Sequence, residues 1–440
     1  MKAKKIIWLL LLCFVFNFGL LGYIKASWAG PFRIGASGNY RVYFATTRYN
    51  ESRNSSRPDY QGRRHLDTGE GSLDYGYANV RRPALLQNLV HARNFPEFKA
   101  RLNINDKAWS TTPVSGISGT QKSNFDSLVS SWQGTICIFV HGYDESFQDS
   151  LRDTAIIGSE LEYKLESQNT KVLPILFSWP SLDKTAEYAA DEANMHWSKL
   201  PYRNFVESVA RLKRPSTKLL IVAHSLGSRM AFDLINSTEL NHSQSIEKIV
   251  LSSSDFDYHQ ALQKKESLEK LVRDKVFVLV SERDGPLLTS QLLHGSPRLG
   301  RPFDPPNVSK VARTSTPQYS DKSFWKGLLK EAVEIIAPKT DNNSPEISQW
   351  LLNGKTADRE LGSKSRFYDV TELVTGDLGH RLAWPVITSL LAQGENLSPL
   401  REKTVHKMPD KLFLEQYGGT PPYLFRFHRV TGESFGGPFN

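Results

Sequence analysis

From residue 135 onward the chain alternates short apolar runs with longer stretches that repeat apolar residues at helical spacing. TICIFV (135–140), VLPILFSW (172–179), LLIVA (219–223), IEKIVLSSS (246–254) and KVFVLVS (275–281) are apolar, β-branched runs of strand length. Continuous hydrophobicity, as opposed to strict alternation, marks strands buried on both faces. Between them SFQDSLRDTAIIGSELEYKL (146–165) and residues 183–212 place apolar side chains three and four apart, and a helix begins at 229–235. Strands alternating with helices imply parallel βαβ units and hence an α/β fold with a doubly wound, mostly parallel sheet.

Upstream the pattern changes. NYRVYFATTRYN (39–50) alternates and predicts one strand; a polar, Arg-, Ser- and Gly-rich loop then runs to about residue 72. LDYGYANV (73–80) predicts a second short strand, and 88–102 reads as irregular or helical. These are extra N-terminal strands on the sheet. Residues 301–364 read as an insertion before the last strand: Pro302, Pro305, Pro306 and Pro317 make it loop-like, with one amphipathic helix at 323–336. RFYDV (366–370) is the expected last strand, and TGDLGH (375–380) leads into the helical AWPVITSLLAQ (383–393). One α/β domain is thus expected over 38–400, and residues 401–440 form a tail.

The longest apolar run is the first. Lys2, Lys4 and Lys5 precede residues 6–24, where Asn17 is the only strongly polar side chain. As a helix this run spans about 28 Å, close to a bilayer's hydrocarbon thickness. The small residues among Ala26, Ser27 and Ala29 offer a cleavage site, so residues 1–29 are either a signal peptide or a membrane anchor. Both export the remainder of the chain, because the lysines favour the cytoplasmic side. The expected location is periplasmic or otherwise extracytoplasmic, in the inner membrane if the segment is uncleaved.

Composition narrows the classes. Over 440 residues, 39% hydrophobic and 23% charged is a globular balance. The net charge of +9 is scattered, with only short pairs such as Arg63-Arg64 and Arg81-Arg82, which speaks for a solvated basic surface and against a nucleic-acid stripe. Of two cysteines, Cys13 sits in the leader and Cys137 inside TICIFV, so no disulfide framework is expected and Cys137 reads as a buried small hydrophobe.

The candidate chemistry centres on LLIVAHSLGS (219–228), an apolar strand, a serine flanked by small residues, and a helix start. This is the arrangement of a nucleophile elbow around Ser225, with Ala223 and Gly227 as the small residues and Ala223 in place of the commoner glycine. A serine needs a base, and in this fold class the partners come in the order Ser, acid, His. His242 and His259 come too early, His294 too close behind a strand, and His406 and His428 fall in the tail, which leaves His380. The acid is Asp284, past KVFVLVS, or Asp255, past the preceding strand; either could instead cap a helix. The oxyanion hole is expected from the backbone N–H groups of Leu226 and of Tyr143 in IFVHGYDESF, where Gly142 allows close approach. Trp179 either lines a substrate pocket or packs. Glu192 and His196 share a helix face without further ligands in register, so no metal and no cofactor is expected.

VYFATTR (42–48), LDYGYANV, IFVHGYDESFQDSLR (138–152), ILFSWPS (175–181), LLIVAHSLGSR (219–229), VLVSERDGPLLTSQLLHGSPRLG (278–300) and LGH (378–380) together resemble a family of bacterial α/β-hydrolases catalogued as domain of unknown function nine hundred. The resemblance implies an esterase- or lipase-like α/β-hydrolase fold, with Ser225 as nucleophile, His380 as base and Asp284 favoured as acid. The segment 301–364 and the tail depart from it. The function expected is hydrolysis of a small-molecule or lipid carboxylic ester through a Ser-His-Asp triad. The alternatives are an acyltransferase using the same site and a non-catalytic envelope binding protein on the same fold.

Overall fold

The computed structural model describes residues 32–34, 38–52, 58–64, 73–87, 89, 95–183, 187–281, 284–301, 364–370, 380 and 382–393. The apolar leader, most of the 301–364 insertion and the 401–440 tail lie outside these residues. Among the described residues no helix is long and apolar enough to cross a membrane.

In chain order the strands are β1 (Phe32–Ile34), β2 (Asn39–Thr46), β3 (Arg48–Asn50), β4 (Tyr60–Arg64), β5 (Asp74–Arg81), β6 (Leu85–Gln87), β7 (Val114–Thr120), β8 (Thr135–Val140), β9 (Val172–Ser178), β10 (Lys218–His224), β11 (Ile246–Ser252), β12 (Val272–Val280) and β13 (Ser365–Asp369). The helices used below are α1 (Phe95–Ser110), α2 (Lys122–Ser131), α3 (Phe147–Lys164), α4 (Tyr188–Trp197), α5 (Lys199–Leu212), α6 (Ser228–Asp233), α7 (Gly285–His294) and α8 (Trp384–Gln393).

Two compact units are present. In the smaller, β1 and β6 pair antiparallel. There the Asn105 side chain of α1 bonds Gln87 twice, accepting from its N–H at 2.7 Å and donating to its carbonyl at 2.9 Å.

The larger unit is built on a nine-stranded sheet in the order β13-β12-β11-β10-β8-β9-β2-β5-β7. The seven strands from β13 to β2 run parallel, and β5 and β7 add on antiparallel. Every residue of β8 and β9 is buried, which is what their continuous apolar sequences require. Strand alternation sends Ile136, Ile138, Val140, Ile221 and Ala223 into one core with Phe125 of α2, Phe205 of α5 and Met230 of α6. The intervening residues, among them Cys137 and Phe139, face the other way, the side on which α3 packs against β9 and against α8. The Ala223 methyl is thus a core group. Cys137 is buried in β8, and burial pushes its thiol up to about 12.

Two expectations are corrected, and one strand is added. The strand expected over 39–50 is broken after Thr46, and β3 turns away to pair with β4 inside the presumed loop. The helix expected over 183–212 is two helices, α4 and α5, separated at Ser198, whose hydroxyl lies 3.0 Å from the Thr47 hydroxyl. Strand β7, sequence VSGISGT, had no expectation attached to it; it lies at the sheet's edge and is only partly buried.

Candidate active site

Strand β10 ends at His224, Ser225 turns, and a single 3-10 turn over Ser225–Gly227 leads into α6. Ser225 has a φ of 50°, in the left-handed region. For an L-residue other than Gly, Asn or Asp this costs about 1–2 kcal/mol, so surrounding contacts must hold it. Its carbonyl accepts from the Asp255 N–H at 3.1 Å and from the Ser228 hydroxyl at 2.6 Å. Two glycines permit the tight approach. A methyl group on Gly227 would lie 2.3 Å from the His141 carbonyl oxygen, and one on Gly142 would lie 2.9 Å from the Ser225 Cβ. The loop after β8 therefore rests directly against the serine, and the adjoining Leu226 is buried.

His380 precedes α8, and its imidazole reaches back over the sheet's C-terminal edge. Its Nε2 is 2.8 Å from the Ser225 Oγ, and its Nδ1 is 2.8 Å from both carboxylate oxygens of Asp284. Asp284 is fully buried and is also the N-cap of α7, accepting from the Leu287 N–H at 2.9 Å. It thus caps a helix and contacts His380 at the same time. Burial lowers the imidazole's proton affinity, but the Asp284 carboxylate outweighs it and holds the His380 pKa above its ordinary value. The neighbouring His224 ring lies 5.0 Å from that of His380. Burial, and then the proximity of His380, drive the His224 pKa down to about 3, so it stays neutral.

Asp255 is not brought to His380. Its carboxylate accepts from Tyr188, Ser290 and Arg229, the last at 3.0 Å. Arg229 also donates from Nε to the Asp255 carbonyl at 2.8 Å and forms an ion pair with Glu192. Burial pushes the Asp255 carboxyl up, but Arg229 and Arg298 hold it below the usual carboxylate range. Glu192 lies 3.1 Å from His294, and no hydrogen bond joins it to His196. Among the described residues no group of three or more His, Cys, Asp or Glu side chains is arranged to hold a metal ion.

The loop that carries Gly142 and Tyr143 is fixed by His141. Three donors face its Nε2: the Trp179 N–H at 3.2 Å, the Ser178 hydroxyl at 3.3 Å and the Arg48 guanidinium at 3.4 Å. The Trp179 carbonyl is also 3.0 Å from Nε2. Nδ1 meets oxygens only, the Gly142 carbonyl at 2.8 Å and the more distant Glu145 carboxylate. The proton therefore belongs on Nδ1. Burial and the nearby Arg48 charge push the His141 pKa well below its ordinary value, so the ring is neutral. Trp179 stacks on it with centroids 4.8 Å apart, and its indole N–H donates to the His141 carbonyl at 3.0 Å. Fully buried, Trp179 packs and does not line a pocket. The Tyr143 ring stands edge-on to Tyr188 of α4.

Arg48 had no role assigned from the sequence. It donates from Nε to the Ser178 hydroxyl at 2.7 Å, from Nη1 to the Ser181 carbonyl at 3.0 Å and from Nη2 to the Glu145 carbonyl at 2.8 Å. Burial lowers its pKa to about 10, which leaves it charged at neutral pH. It ties the loop after β9 to the loop after β8. Asp191 reinforces the same junction, accepting from the Ser181 hydroxyl at 2.6 Å and the Leu182 N–H at 2.8 Å. Strand parity gave no signal for it, because Ala45 and Thr47 are buried as fully as Phe44 and Thr46 and the strand breaks after Thr46.

Residues 118–327 match the model of a family described as "Alpha/beta hydrolase of unknown function (DUF900)". Ser225 and Asp284 fall inside the matched stretch and His380 beyond it. The uncharacterized protein alr1448 of Nostoc sp. (strain PCC 7120 / SAG 25.82 / UTEX 2576) is 29% identical over 132 residues, which is 24% of this chain and 34% of that protein. The chain thus spans about a third of the length of the curated relative it matches. No solved structure matches the chain.

Proposed function

We propose that this α/β-hydrolase chain is a serine hydrolase that cleaves a carboxylic ester by way of an acyl-enzyme. The observation that carries the reading is the continuous hydrogen-bonded line from Ser225 through His380 to Asp284 at a strained strand-to-helix turn. In this reading the Ser225 Oγ attacks the ester carbonyl while His380 Nε2 takes its proton. The backbone N–H groups of Leu226 and Tyr143 receive the developing oxyanion. His380 then protonates the leaving alkoxide, and the alcohol departs. Water, deprotonated by the same Nε2, attacks the acyl-serine and releases the carboxylic acid. Asp284 holds the imidazole in the tautomer with the proton on Nδ1 and stabilises the transient imidazolium. Export, with residues 6–24 as signal or membrane anchor, and a small-molecule or lipid ester as substrate belong to the same proposal.

A fluorophosphonate probe tests the class of activity. The wild-type protein is expected to be labelled once and to hydrolyse 4-nitrophenyl esters, with both lost in Ser225→Ala by a factor of at least about a thousand. A wild-type protein that takes no label, or a label that survives Ser225→Ala, would return the chain to the non-catalytic binding reading.

A further inference from the structure

A trans peptide unit is planar, with its C=O and N–H pointing in opposite directions. Whatever grips the carbonyl of a peptide therefore aims the N–H of the next residue. Both peptides that carry the proposed oxyanion donors are gripped in this way. The Gly142 carbonyl, which shares a peptide with the Tyr143 N–H, accepts from His141 Nδ1 at 2.8 Å. The Ser225 carbonyl, which shares a peptide with the Leu226 N–H, accepts from the Ser228 hydroxyl at 2.6 Å and from the Asp255 N–H at 3.1 Å. Neither grip is loose. His141 is stacked on Trp179 and met from behind by Ser178 and Arg48. Ser228 receives a hydrogen bond from Ser254 at 2.8 Å, and Asp255 is clasped by Arg229 through both its carbonyl and its carboxylate. All of these side chains are buried, so water does not compete for the two carbonyls.

We infer that His141 and Ser228 are positioning residues for an oxyanion hole, each aiming a backbone N–H by holding the carbonyl of the same peptide, with Asp255 and Arg229 bracing the second from behind. The inference rests on the serine-hydrolase reading. It assigns to His141 a task other than proton transfer. The ring is neutral, buried and committed on both nitrogens, whereas His380 has its Nε2 turned to the nucleophile. It also gives a task to Asp255, the carboxylate that does not reach His380: it supplies the backbone N–H and the anchor for Arg229.

An oxyanion hole discriminates oxygen from sulfur, because a thiocarbonyl is a poor hydrogen-bond acceptor and gains little from the N–H groups. The experiment compares kcat/KM for a 4-nitrophenyl ester and its thiono (C=S) analogue in the wild type, His141→Phe and Ser228→Ala, with folding checked by thermal unfolding. His141→Phe keeps an aromatic ring on Trp179 and removes both nitrogens. The wild type is expected to prefer the oxygen ester by about a hundredfold or more. That preference should fall about tenfold in His141→Phe and about threefold in Ser228→Ala, through kcat with KM little changed. A role confined to stability would lower both substrates alike and leave the ratio unmoved. Should His141→Phe fail to fold, Ser228→Ala decides. Folded variants that keep the wild-type ratio, or a wild type that turns over through Ser225 without preferring oxygen, overturn the inference alone. A wild type with no Ser225-dependent turnover overturns the serine-hydrolase reading and this inference with it.

Discussion

Glycine occupies a φ of 50° at little cost, and serine does so only under constraint. Replacing Ser225 by Gly should therefore give a more stable protein than replacing it by Ala, by about 1 kcal/mol in chemical denaturation, with both variants inactive. The two aspartates should separate just as sharply. Asp284→Asn keeps a side chain able to cap α7 but presents the wrong partner to His380, so kcat should fall roughly ten-thousandfold with little loss of stability. Asp255→Asn leaves Arg229 and Arg298 without their shared carboxylate; its main effect should be a loss of about 3–5 kcal/mol in unfolding free energy. In the proposed mechanism the acid limb of the rate profile belongs to His380, which has to be unprotonated to act as base. Because Asp284 raises its pKa, activity should be half lost on acidification at a pH above 6.5, the ordinary histidine value.

The contact between β8 and the start of α6 is made by Gly227. In Gly227→Ala the new methyl would press on the His141 carbonyl, a backbone atom that cannot swing aside. Loss of about 1–3 kcal/mol and of fluorophosphonate labelling is expected together, since the same loop carries Gly142 and Tyr143. At this scale the sequence was informative where burial is two-sided. TICIFV, VLPILFSW, LLIVA and KVFVLVS are all strands, because a strand covered on both faces leaves little choice of residue. VSGISGT and YQGRR had no such signal: one is an edge strand and the other pairs with a three-residue partner, and neither needs an apolar face. The order Ser, Asp, His singled out Ser225 and His380, but Asp255 and Asp284 come after adjacent parallel strands and share the same local pattern. Only the packing of Arg229 against one and His380 against the other separates them. The grip of Arg48 on the loops after β8 and β9 was hidden for a similar reason, since its partners, two of them backbone carbonyls, come from segments far away in sequence.

The larger unit buries neutral histidines at the C-terminal edge of its parallel strands, and this should appear in its response to acid. His224 has a folded pKa of about 3, and an unfolded chain restores it to about 6.5. Between those values the unfolded state binds a proton that the folded state refuses, so the stability due to His224 is present above pH 6.5 and is lost as the pH falls. The stability gap between the wild type and His224→Gln should therefore narrow, by up to about 1.4 kcal/mol per pH unit between pH 6 and pH 4 in urea unfolding. Buried carboxyl groups shift the absolute curve, but they cancel in the comparison.

Cys137 lies in β8, between β10 and β9, with its thiol sealed in the core. A thiol reagent can reach it only when the middle of the sheet comes apart. In a Cys13→Ser background, the rate at which Cys137 is modified becomes a clock for that rare excursion, ticking within the intact protein and without denaturant. The same strand leads into His141, so the clock counts how often the floor beneath the serine gives way.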